Sequence, residues 1–337
     1  MYLAASFEDT LASSYAHGST YLSAGSRQQH MRAFLFGYPI SRSLAPLLQK
    51  TLFKGVSLPW TYQLHETSDV NEFTDMLKQP DIVGCAITMP YKVKTMSLVD
   101  EVTEEGRVIG AINTVFMRKT PAGITRYIGT NTDCVGVREA FLQNYPDLLS
   151  DSECRAAMVI GGGGACRAAV YAMWKWLGAS RIYIVNRLED EVISTIESLG
   201  SAGLDIPIIH VKSVKQAEGL DTPALIVGTV PDYPPREPGE IKARSIANHF
   251  LARAQKGYIL EMCYHPKPMT DFFLLGKKAG WRMIYGTEAM IWQGVTQQVL
   301  WAELPLDMFD MEASKKVMGE ILHKTIMHDG GEPVQWI

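Results

Sequence analysis

The feature that most constrains the fold is a glycine-rich turn between a short apolar run and a helix-length segment. Residues 156–160 are apolar, four consecutive glycines follow at 161–164, and residues 165–178 are rich in alanine. An apolar run of this length is typical of a buried strand, and an alanine-rich stretch favours a helix. Glycine permits the tight turn between them and a close approach of the backbone to a ligand. The segment therefore predicts a strand–turn–helix unit.

The same alternation of apolar runs and helix-length segments extends along most of the chain. The strand candidates are 32–37, 59–64, 84–88 and 112–117 in the first half and 156–160, 181–185, 208–212, 224–228 and 258–262 in the second. Strands that alternate with helices run mainly parallel, because a crossover helix returns the chain to the edge where the strand began. The polar stretch 141–155 separates the two sets. We therefore expect an α/β protein with one domain over 31–140 and another over 150–286.

The two ends of the chain depart from this pattern. Residues 1–30 are rich in Ser, Ala, Gly and Thr without sustained periodicity, so we expect a flexible extension, with Met31 as an alternative start. Glu8 and Asp9 disfavour a transit peptide there. Residues 287–330 carry a helical pattern, and we expect this C-terminal helix to return to the first domain.

Composition and charge argue against several classes of function. The net charge of -4 gives no basic surface for nucleic acid. No apolar run reaches the roughly 18 residues of a membrane span. The five cysteines are scattered and the histidines form no His-Glu-x-x-His pattern, so neither a disulfide framework nor a metal site is indicated. We expect a cytoplasmic protein, monomer or homodimer, that binds a small molecule and neither nucleic acid, membrane nor metal.

The glycine turn also predicts a ligand. The backbone N–H groups of Gly161, Gly162, Gly163, Gly164 and Ala165 would face a pyrophosphate, which the positive end of the following helix dipole attracts. Cys166 replaces the third glycine of the usual G-x-G-x-x-G pattern and is still small. A merely flexible turn is the alternative, but the strand before and the helix after favour a cofactor. The second domain is therefore predicted to be a Rossmann-like, doubly wound dinucleotide-binding domain.

Asn186 and Arg187 end the next predicted strand, where such domains meet the adenosine ribose. An acidic side chain there favours NAD, whereas arginines hold the 2′-phosphate of NADP. Arg187 can stack on adenine or pair with a phosphate, while the carboxylates of residues 189–191 would repel a phosphate dianion. Those three acids are equally compatible with the start of a solvated helix. The balance favours NAD, with NADP as the alternative.

Six short motifs occur in a fixed order along the chain. They are 37–46 (GYPISRSLAP), 88–92 (TMPYK), 110–114 (GAINT), 129–133 (GTNTD), Tyr264 with Pro266, and Gly286 with Gln293. With the glycine turn between the fourth and fifth, they resemble the shikimate/quinate dehydrogenase family over roughly residues 32–300. The resemblance implies a substrate-binding first domain, a cofactor-binding second domain and an active site in the cleft between them. It also implies hydride transfer from a ring hydroxyl to a nicotinamide.

Lys92 and Asp133 are the one acid–base pair that these motifs offer. A lysine beside the reacting oxygen can accept its proton, or as a cation stabilise alkoxide character while hydride leaves. Asp133 can orient Lys92 and share a substrate hydroxyl. A lone lysine is ordinarily a solvated charge, which is our interpretation of Lys94, but the motif gives Lys92 a catalytic role.

Further contacts follow from the resemblance alone. Ser43 would bind the substrate carboxylate, Thr88 and Asn113 the ring hydroxyls, and Tyr264 and Gln293 the far side of the ring, while Gly286 would border the cofactor. As alternatives, the first three residues serve equally well as caps or turn residues. Tyr264 and Gln293 suit an ordinary interdomain contact as well.

Two departures from the family pattern bear on the substrate. Ala45 stands where the family has a second serine, and Ala86 where it usually has asparagine. The missing hydroxyl at Ala45 removes a carboxylate contact and opens space beside ring carbon 1, where quinate carries an extra hydroxyl. The stretch 286–293 (GTEAMIWQ) is similar to the form in fungal quinate-pathway relatives. We therefore favour quinate with NAD, against an NADP-dependent shikimate dehydrogenase in which position 45 has drifted neutrally.

Two rival functions remain for the same pattern. A non-catalytic sensor of quinate-like acids would be expected to lack Lys92 or Asp133, and both are present. A nucleotide-binding enzyme with another reaction, of the methylene-folate or glutamyl-reductase type, would not be expected to carry the P-x-K and N-T-D motifs. Reduction of NAD or NADP by quinate or shikimate discriminates among these alternatives.

Overall fold

The computed structural model describes residues 9–23, 25–149, 155–264 and 267–328, with only the backbone for residue 9 and for 321–328. The described strands are β1 (Ser19–Thr20), β2 (Arg32–Gly37), β3 (Thr61–Glu66), β4 (Ile82–Ile87), β5 (Glu101–Val102), β6 (Thr114–Lys119), β7 (Thr125–Thr130), β8 (Arg155–Ile160), β9 (Ala179–Val185), β10 (Ile208–His210), β11 (Leu225–Gly228), β12 (Tyr258–Glu261) and β13 (Arg282–Tyr285). The described helices are α1 (Asp9–Ser14), α2 (Ala45–Gly55), α3 (Glu72–Leu77), α4 (Glu104–Ile109), α5 (Asp133–Asn144), α6 (Gly164–Lys175), α7 (Glu189–Ser201), α8 (Val214–Glu218), α9 (Pro238–Leu251), α10 (Asp271–Lys278), α11 (Gly286–Ala302) and α12 (Met311–His328).

The chain divides into two compact units. Among the described residues, the first unit comprises 9–132 with 291–318, and the second comprises 133–290 with 319–328. The division at 132/133 precedes the stretch 141–155 where the sequence placed it. The reason is that α5, counted with the first domain from its sequence, packs against α6 of the second unit.

The first unit is built on a mixed sheet with strand order β3-β2-β4-β6-β7-β5. Strands β2, β3 and β4 are parallel, as predicted, but β6 is antiparallel to both β4 and β7. The five residues between β6 and β7 are too few for a crossover helix, so those two strands form a hairpin. Aromatic side chains of β2 fill one face, where Phe36 packs edge-on against Phe73 and is tilted against Tyr91.

The second unit is built on a parallel sheet with strand order β10-β9-β8-β11-β12-β13. The chain starts at β8 in the middle, adds β9 and β10 on one side, and then returns to add β11, β12 and β13 on the other. This is the doubly wound Rossmann order, with its switch point between β8 and β11. The predicted α/β fold class is confirmed, although β13 at the edge is a strand that the sequence analysis did not identify.

The described part of the N-terminal segment makes specific contacts with the first unit, although its composition predicted a flexible extension. Strand β1 pairs with the end of β6, and both Thr20 and the backbone N–H of Tyr21 (3.0 Å) donate hydrogen bonds to the carboxylate of Glu303. Arg27 donates to the backbone oxygens of Ala302 (3.0 Å) and Glu303 (3.2 Å). These specific contacts, rather than periodic apolar residues, fix the described part of residues 9–28 on the first unit.

Helix α11 continues into the first unit and packs on its sheet. The indole Nε1 of Trp301 donates to the backbone oxygen of Val115 over 2.9 Å. A Cβ on Gly84 of β4 would lie only 2.0 Å from the same nitrogen, so glycine is what lets the helix approach the strand. None of the described helices is both long and apolar enough to cross a lipid bilayer.

Candidate active site

The motif segments of the first unit converge on one edge of its sheet. Strands β2 and β4 are parallel and both end there, and the antiparallel strand β6 begins there. Thr88 therefore follows β4 at the edge where Asn113 precedes β6, and the backbone N–H of Ile87 donates to Asn113 O over 2.7 Å. Strand β7 ends at the same edge, because Thr130 pairs with Thr114.

Ser43 lies just before α2 and takes part in a local turn. The backbone N–H of Ala45 donates to Ser43 Oγ over 3.2 Å, which is the turn arrangement considered as the alternative to a ligand contact. The hydroxyl can still donate a hydrogen bond to an anion. Ala45 itself is the first residue of α2, so it opens the helix without offering a hydroxyl of its own.

Thr88 and Lys92 occupy the segment after β4. A Cβ on Gly37 would lie 2.4 Å from Thr88 Cγ2, so the ends of β2 and β4 approach closely only because residue 37 is glycine. The backbone N–H of Ile112 donates to Lys92 O over 2.8 Å, which ties the lysine to the segment that leads to Asn113. The side chains of both Thr88 and Lys92 are partly buried.

Asn113 is the centre of a buried polar cluster in the first unit. Its Oδ1 accepts from the backbone N–H of Thr132 (2.7 Å) and from the hydroxyls of Thr132 (3.1 Å) and Thr114 (2.9 Å). Its Nδ2 lies 3.0 Å from Thr132 Oγ1 and 3.4 Å from Oε1 of Gln293. The structure thus brings together Asn113 and Gln293, two residues that the sequence places 180 positions apart.

Sequence reasoning did not select Thr114, Thr132, Gln49 and Gln297, which join this cluster. Thr114 and Thr132 lie inside the recognised GAINT and GTNTD motifs, so motif membership was an available signal for them. The two glutamines carried no such signal, because glutamine is mostly exposed in proteins. Here Gln49 and Gln297 are 0% and 1% exposed.

Asp133 and Tyr264 belong to the second unit. Asp133 is the first residue of α5 and is 8% exposed. Burial, with smaller contributions from Cys263 and Asp133, raises the pKa of Tyr264 to about 12. The phenol is therefore protonated at neutral pH and is a hydrogen-bond donor. Pro266, which completes the motif with Tyr264, lies outside the described residues.

The glycine turn connects β8 to α6 at the switch point of the second sheet. Gly161 has φ +132°, and a Cβ there would lie 2.1 Å from Thr229 Oγ1. A Cβ on Gly162 would lie 2.2 Å from Asn186 Nδ2, whereas one on Gly163 would meet nothing within 4 Å. Helix α6 begins at Gly164, so its first N–H groups lie beside this turn. The backbone therefore fits a pyrophosphate at this helix N-terminus.

Cys166 occupies the first turn of α6 with its side chain fully buried. Burial raises the pKa of its thiol to about 12, so the group is an unreactive packing residue. This matches the expectation that a small side chain suffices at the third position of the glycine pattern. Ala165 precedes it within the same helical turn.

The two polar residues that follow β9 each contact a carboxylate. Asn186 Nδ2 donates to Glu191 Oε2 over 2.7 Å, and the same oxygen would lie 2.4 Å from a Cβ on Gly162. Arg187 forms an ion pair with Glu240 in the first turn of α9. A carboxylate thus lies beside the glycine turn, and the nearby guanidinium already has an anionic partner.

Gly286 begins α11 where a Cβ would lie 2.4 Å from the backbone oxygen of Met262. A packing requirement therefore accounts for this glycine. Nearby, Glu261 ends β12 with 3% exposure, and its Oε1 accepts from the backbone N–H of Cys263 over 3.0 Å. Burial raises the pKa of Glu261 to about 8. Glu261 is an acidic residue at the end of an apolar run, and this signal was present in the sequence but was not used.

No cluster of three or more His, Cys, Asp or Glu side chains with the arrangement of a metal site occurs in the described part of the chain. The chemistry that these residues offer is hydrogen bonding, proton transfer and anion binding.

Comparisons with known proteins agree with this geometry. Residues 35–115 match the shikimate dehydrogenase substrate binding domain. The chain is 40% identical over 285 residues to the quinate dehydrogenase of Emericella nidulans, which covers 80% of this chain and 87% of that protein. The S. pombe dehydroquinate dehydratase and shikimate dehydrogenase is 30% identical with a TM-score of 0.66 over 86% of this chain, which spans 53% of that protein.

A third similarity concerns the fold alone. The shikimate 5-dehydrogenase of Thermus thermophilus, solved in complex with NADP(H) and shikimate, is 23% identical with a TM-score of 0.65. The similarity covers 85% of this chain and 97% of that one. Its extent shows that both units of this chain have counterparts in one enzyme fold.

Proposed function

The chain belongs to the shikimate/quinate dehydrogenase family and is an oxidoreductase that acts on a CH–OH group; from this premise we propose that it oxidises quinate with NAD as the hydride acceptor. The resemblance drawn from the six sequence motifs is confirmed by the 40% identity to a quinate dehydrogenase. The observation that carries the proposal is the buried cluster of Asn113, Thr132 and Gln293, which brings a predicted ligand of the ring hydroxyls next to a predicted ligand of the far side of the ring.

The proposed catalytic group is Lys92. Bound nicotinamide supplies the hydride acceptor, and the residues of the chain bind the ring and manage the proton. Lys92 accepts the hydroxyl proton as the C–H bond breaks, or stabilises the alkoxide as a cation. Ser43, Thr88, Asn113, Gln293 and Tyr264 orient the substrate, and Asp133 orients Lys92 and accepts a hydrogen bond from a substrate hydroxyl.

Replacement of the lysine tests this role. The Lys92→Met variant keeps the aliphatic stem and removes the ammonium group, so kcat should fall by roughly 10²–10⁴-fold. The dissociation constant of the dinucleotide, measured by fluorescence, should stay within twofold. The Lys94→Met variant is the matched control, since Lys94 is an exposed neighbour. Equal turnover in the two variants would show that Lys92 has no catalytic role.

The preference for NAD is supported by the carboxylates around the end of β9. Glu191 lies beside Gly162, and Arg187 is paired with Glu240. A carboxylate can accept hydrogen bonds from the ribose hydroxyls of NAD, whereas a 2′-phosphate would be repelled by it. At about 4 Å in water that repulsion is roughly 1 kcal/mol per pair of unit charges, or about fivefold in affinity.

Glutamine at position 191 tests this preference. Glu191→Gln should improve NADP binding by roughly fivefold and weaken NAD binding. Glu189→Gln serves as the control, because Glu189 starts the same helix but pairs with Lys212. If the wild-type protein prefers NADP, we would instead infer that Arg187 binds the 2′-phosphate.

Quinate is favoured over shikimate because of Ala45. The first residue of α2 offers no hydroxyl to the substrate carboxylate, and its small side chain leaves room for a substituent on ring carbon 1. Ala45→Ser should shift the ratio of kcat/KM values toward shikimate. An unchanged ratio would show that Ala45 does not determine the preference for quinate.

One assay tests the function as a whole. Quinate and shikimate are each offered with NAD and with NADP, and reduced nicotinamide is followed by its near-ultraviolet absorbance. We expect the highest kcat/KM for quinate with NAD. If shikimate with NADP gives the highest kcat/KM, the result supports the biosynthetic alternative. If neither cofactor is reduced with either acid, the assignment as a quinate/shikimate dehydrogenase is refuted.

A further inference from the structure

A directed chain of hydrogen bonds runs through the core of the first unit and ends on Asn113. Gln298 Nε2 donates to Gln49 Oε1, and Gln49 Nε2 donates to Gln297 Oε1 over 3.0 Å. Gln297 Nε2 donates to Thr114 Oγ1 over 3.0 Å, and the Thr114 hydroxyl donates to Asn113 Oδ1 over 2.9 Å. Every link passes a donor in the same direction, an arrangement in which neighbouring hydrogen bonds polarise and strengthen one another.

The members of this chain are among the most buried polar residues of the unit. Gln49, Gln298 and Thr114 are 0% exposed, Gln297 is 1% exposed and Asn113 is 2% exposed. Three glutamines side by side in a core are costly unless they are hydrogen-bonded, since apolar residues of similar volume would pack there without that requirement. Their presence indicates a role beyond filling space.

Two donors fix which way the Asn113 amide faces: the backbone N–H of Thr132 and the Thr114 hydroxyl at the end of the chain. The backbone N–H of Thr132 can only donate, and it lies 2.7 Å from Oδ1, so this atom is the oxygen of the amide. The Thr114 hydroxyl accepts from Gln297, so its own hydrogen is left to donate, and Asn113 Oδ1 at 2.9 Å is nearer to it than Thr132 Oγ1 at 3.1 Å. These donors hold the oxygen, so the N–H side of the amide faces Thr132 Oγ1 and Gln293 Oε1, and an N–H is what Asn113 can offer to a ligand that replaces one of those contacts.

The chain also joins three segments that carry predicted substrate contacts. Gln49 lies on α2, which begins two residues after Ser43, and Thr114 begins β6 directly after Asn113. Gln297 lies on α11 one helical turn after Gln293. Gln49 Nε2 also lies 3.4 Å from the backbone oxygen of Gly294, where the two helices approach closely.

We propose that Thr114 and Gln297 are positioning residues that, together with the backbone N–H of Thr132, hold the Asn113 oxygen, so that Asn113 turns its N–H side toward Gln293 and presents a donor to a ring oxygen of the substrate. This inference rests on the proposed function, because it requires Asn113 to contact the ring. It restricts the substrate at that point to a group with an acceptor lone pair, which a hydroxyl provides and a ring methylene does not.

Thr114→Val tests the proposal. Valine has nearly the shape of threonine, so the variant removes the hydroxyl that orders Asn113 and leaves the packing. KM for quinate, and its dissociation constant by calorimetry, should rise about fivefold, since one neutral hydrogen bond contributes that much. The values of kcat and of the dinucleotide dissociation constant should change by less than twofold. Thr114→Ser, which restores a hydroxyl, should return KM toward the wild-type value.

Thr130→Val is the matched control. Thr130 lies opposite Thr114 on the neighbouring strand, is buried and hydrogen-bonds to Thr103 over 2.9 Å, but takes no part in the chain to Asn113. A rise in KM confined to Thr114→Val supports the proposal, and equal KM values in the two valine variants overturn it.

A second variant keeps the proposal testable if Thr114→Val folds poorly. Gln297→Met keeps the length of the side chain and removes the donor to Thr114, so it should give the same selective rise in KM. An unchanged KM in this variant overturns the proposal. A wild-type protein that is inactive toward both quinate and shikimate would instead refute the proposed function and is distinguished from either result.

Discussion

The ion pair between Arg118 and Glu303 gives a stability prediction whose size follows from its burial. The two side chains are 1% and 2% exposed, and Arg118 Nη1 lies 3.2 Å from Glu303 Oε1. Glu303 also accepts hydrogen bonds from the backbone N–H of Tyr21 at 3.0 Å and from the hydroxyl of Tyr15 at 3.3 Å. Glu303 adopts φ +52°, a left-handed conformation that favours glycine, so the residue is held there by these contacts.

Glu303→Gln removes the charge with little change of shape. Breaking one partner of a buried pair costs about 3–5 kcal/mol, because the remaining charge stays buried without compensation. Burial lowers the pKa of Arg118, and the carboxylate of Glu303 counteracts this shift, which identifies the glutamate as the group that stabilises the charged arginine. At about 2–4 °C per kcal/mol, Tm should fall by roughly 6–20 °C.

Thermal unfolding followed by circular dichroism measures this change. The control is Asp221→Asn, which breaks the pair with Arg181 at 2.8 Å, where the side chains are 41% and 70% exposed. An exposed pair contributes about 0–1 kcal/mol, so its Tm should fall by no more than about 4 °C. A second comparison is the double variant Arg118→Met with Glu303→Gln, which should be more stable than Glu303→Gln alone. Equal Tm losses in Glu303→Gln and Asp221→Asn would refute the reasoning from burial.

Three further predictions follow from the same kind of observation. A chain that starts at Met31 lacks the hydrogen bonds that Tyr15, Thr20 and Tyr21 donate to the Glu303 carboxylate, and a hydrogen bond to a charged group contributes about 1.5–3 kcal/mol. Its free energy of unfolding in urea should therefore fall by at least about 3 kcal/mol. Stability equal to that of the full chain would contradict the structural role of this segment. Burial raises the pKa of Glu261 from its usual 4.5 to about 8, so the folded protein binds the extra proton and stability should fall as pH rises between these values, by a few kcal/mol in total. Glu261→Gln should flatten that part of the Tm–pH profile, and a parallel profile would contradict the assignment. Gly84→Ala places a Cβ 2.0 Å from Trp301 and should cost about 1–3 kcal/mol, whereas Gly200→Ala, where a Cβ meets nothing within 4 Å, should not destabilise the protein.

Local signals in the sequence predicted much of the second unit. The glycine turn, the strand before it and the helix after it are consecutive in the chain, so neighbouring residues determine them and the structure has them where expected. The antiparallel direction of β6 could not be read from its own residues, because it depends on the short connection to β7. The apolar run at 112–117 predicted a strand and carried no information on its direction.

The site of the first unit was predictable only in part. Motifs located Asn113 and Gln293, and the structure adds that Thr132 joins them. Gln297 and Gln49 were not predicted, because a glutamine in a helix carries no local sign that it will be buried against another helix. The contacts of the described part of the N-terminal segment could not be predicted for a similar reason, since they depend on Glu303, almost 300 residues later.

Helix α11 connects these two findings. Its middle carries Gln293, which contacts Asn113, and Gln297, which donates to Thr114 in the hydrogen-bond chain to Asn113. Its last turn carries Trp301, directly before the residues that bind the N-terminal segment. The two functions are separable because different side chains perform them. Glu303→Gln should therefore lower Tm while KM for quinate stays constant at temperatures well below unfolding, and Thr114→Val should raise KM with a much smaller change in Tm. If Glu303→Gln raised KM as much as Thr114→Val, the helix would have to shift as a rigid body when its end is released, and substrate affinity would then depend on how firmly the N-terminal segment is bound.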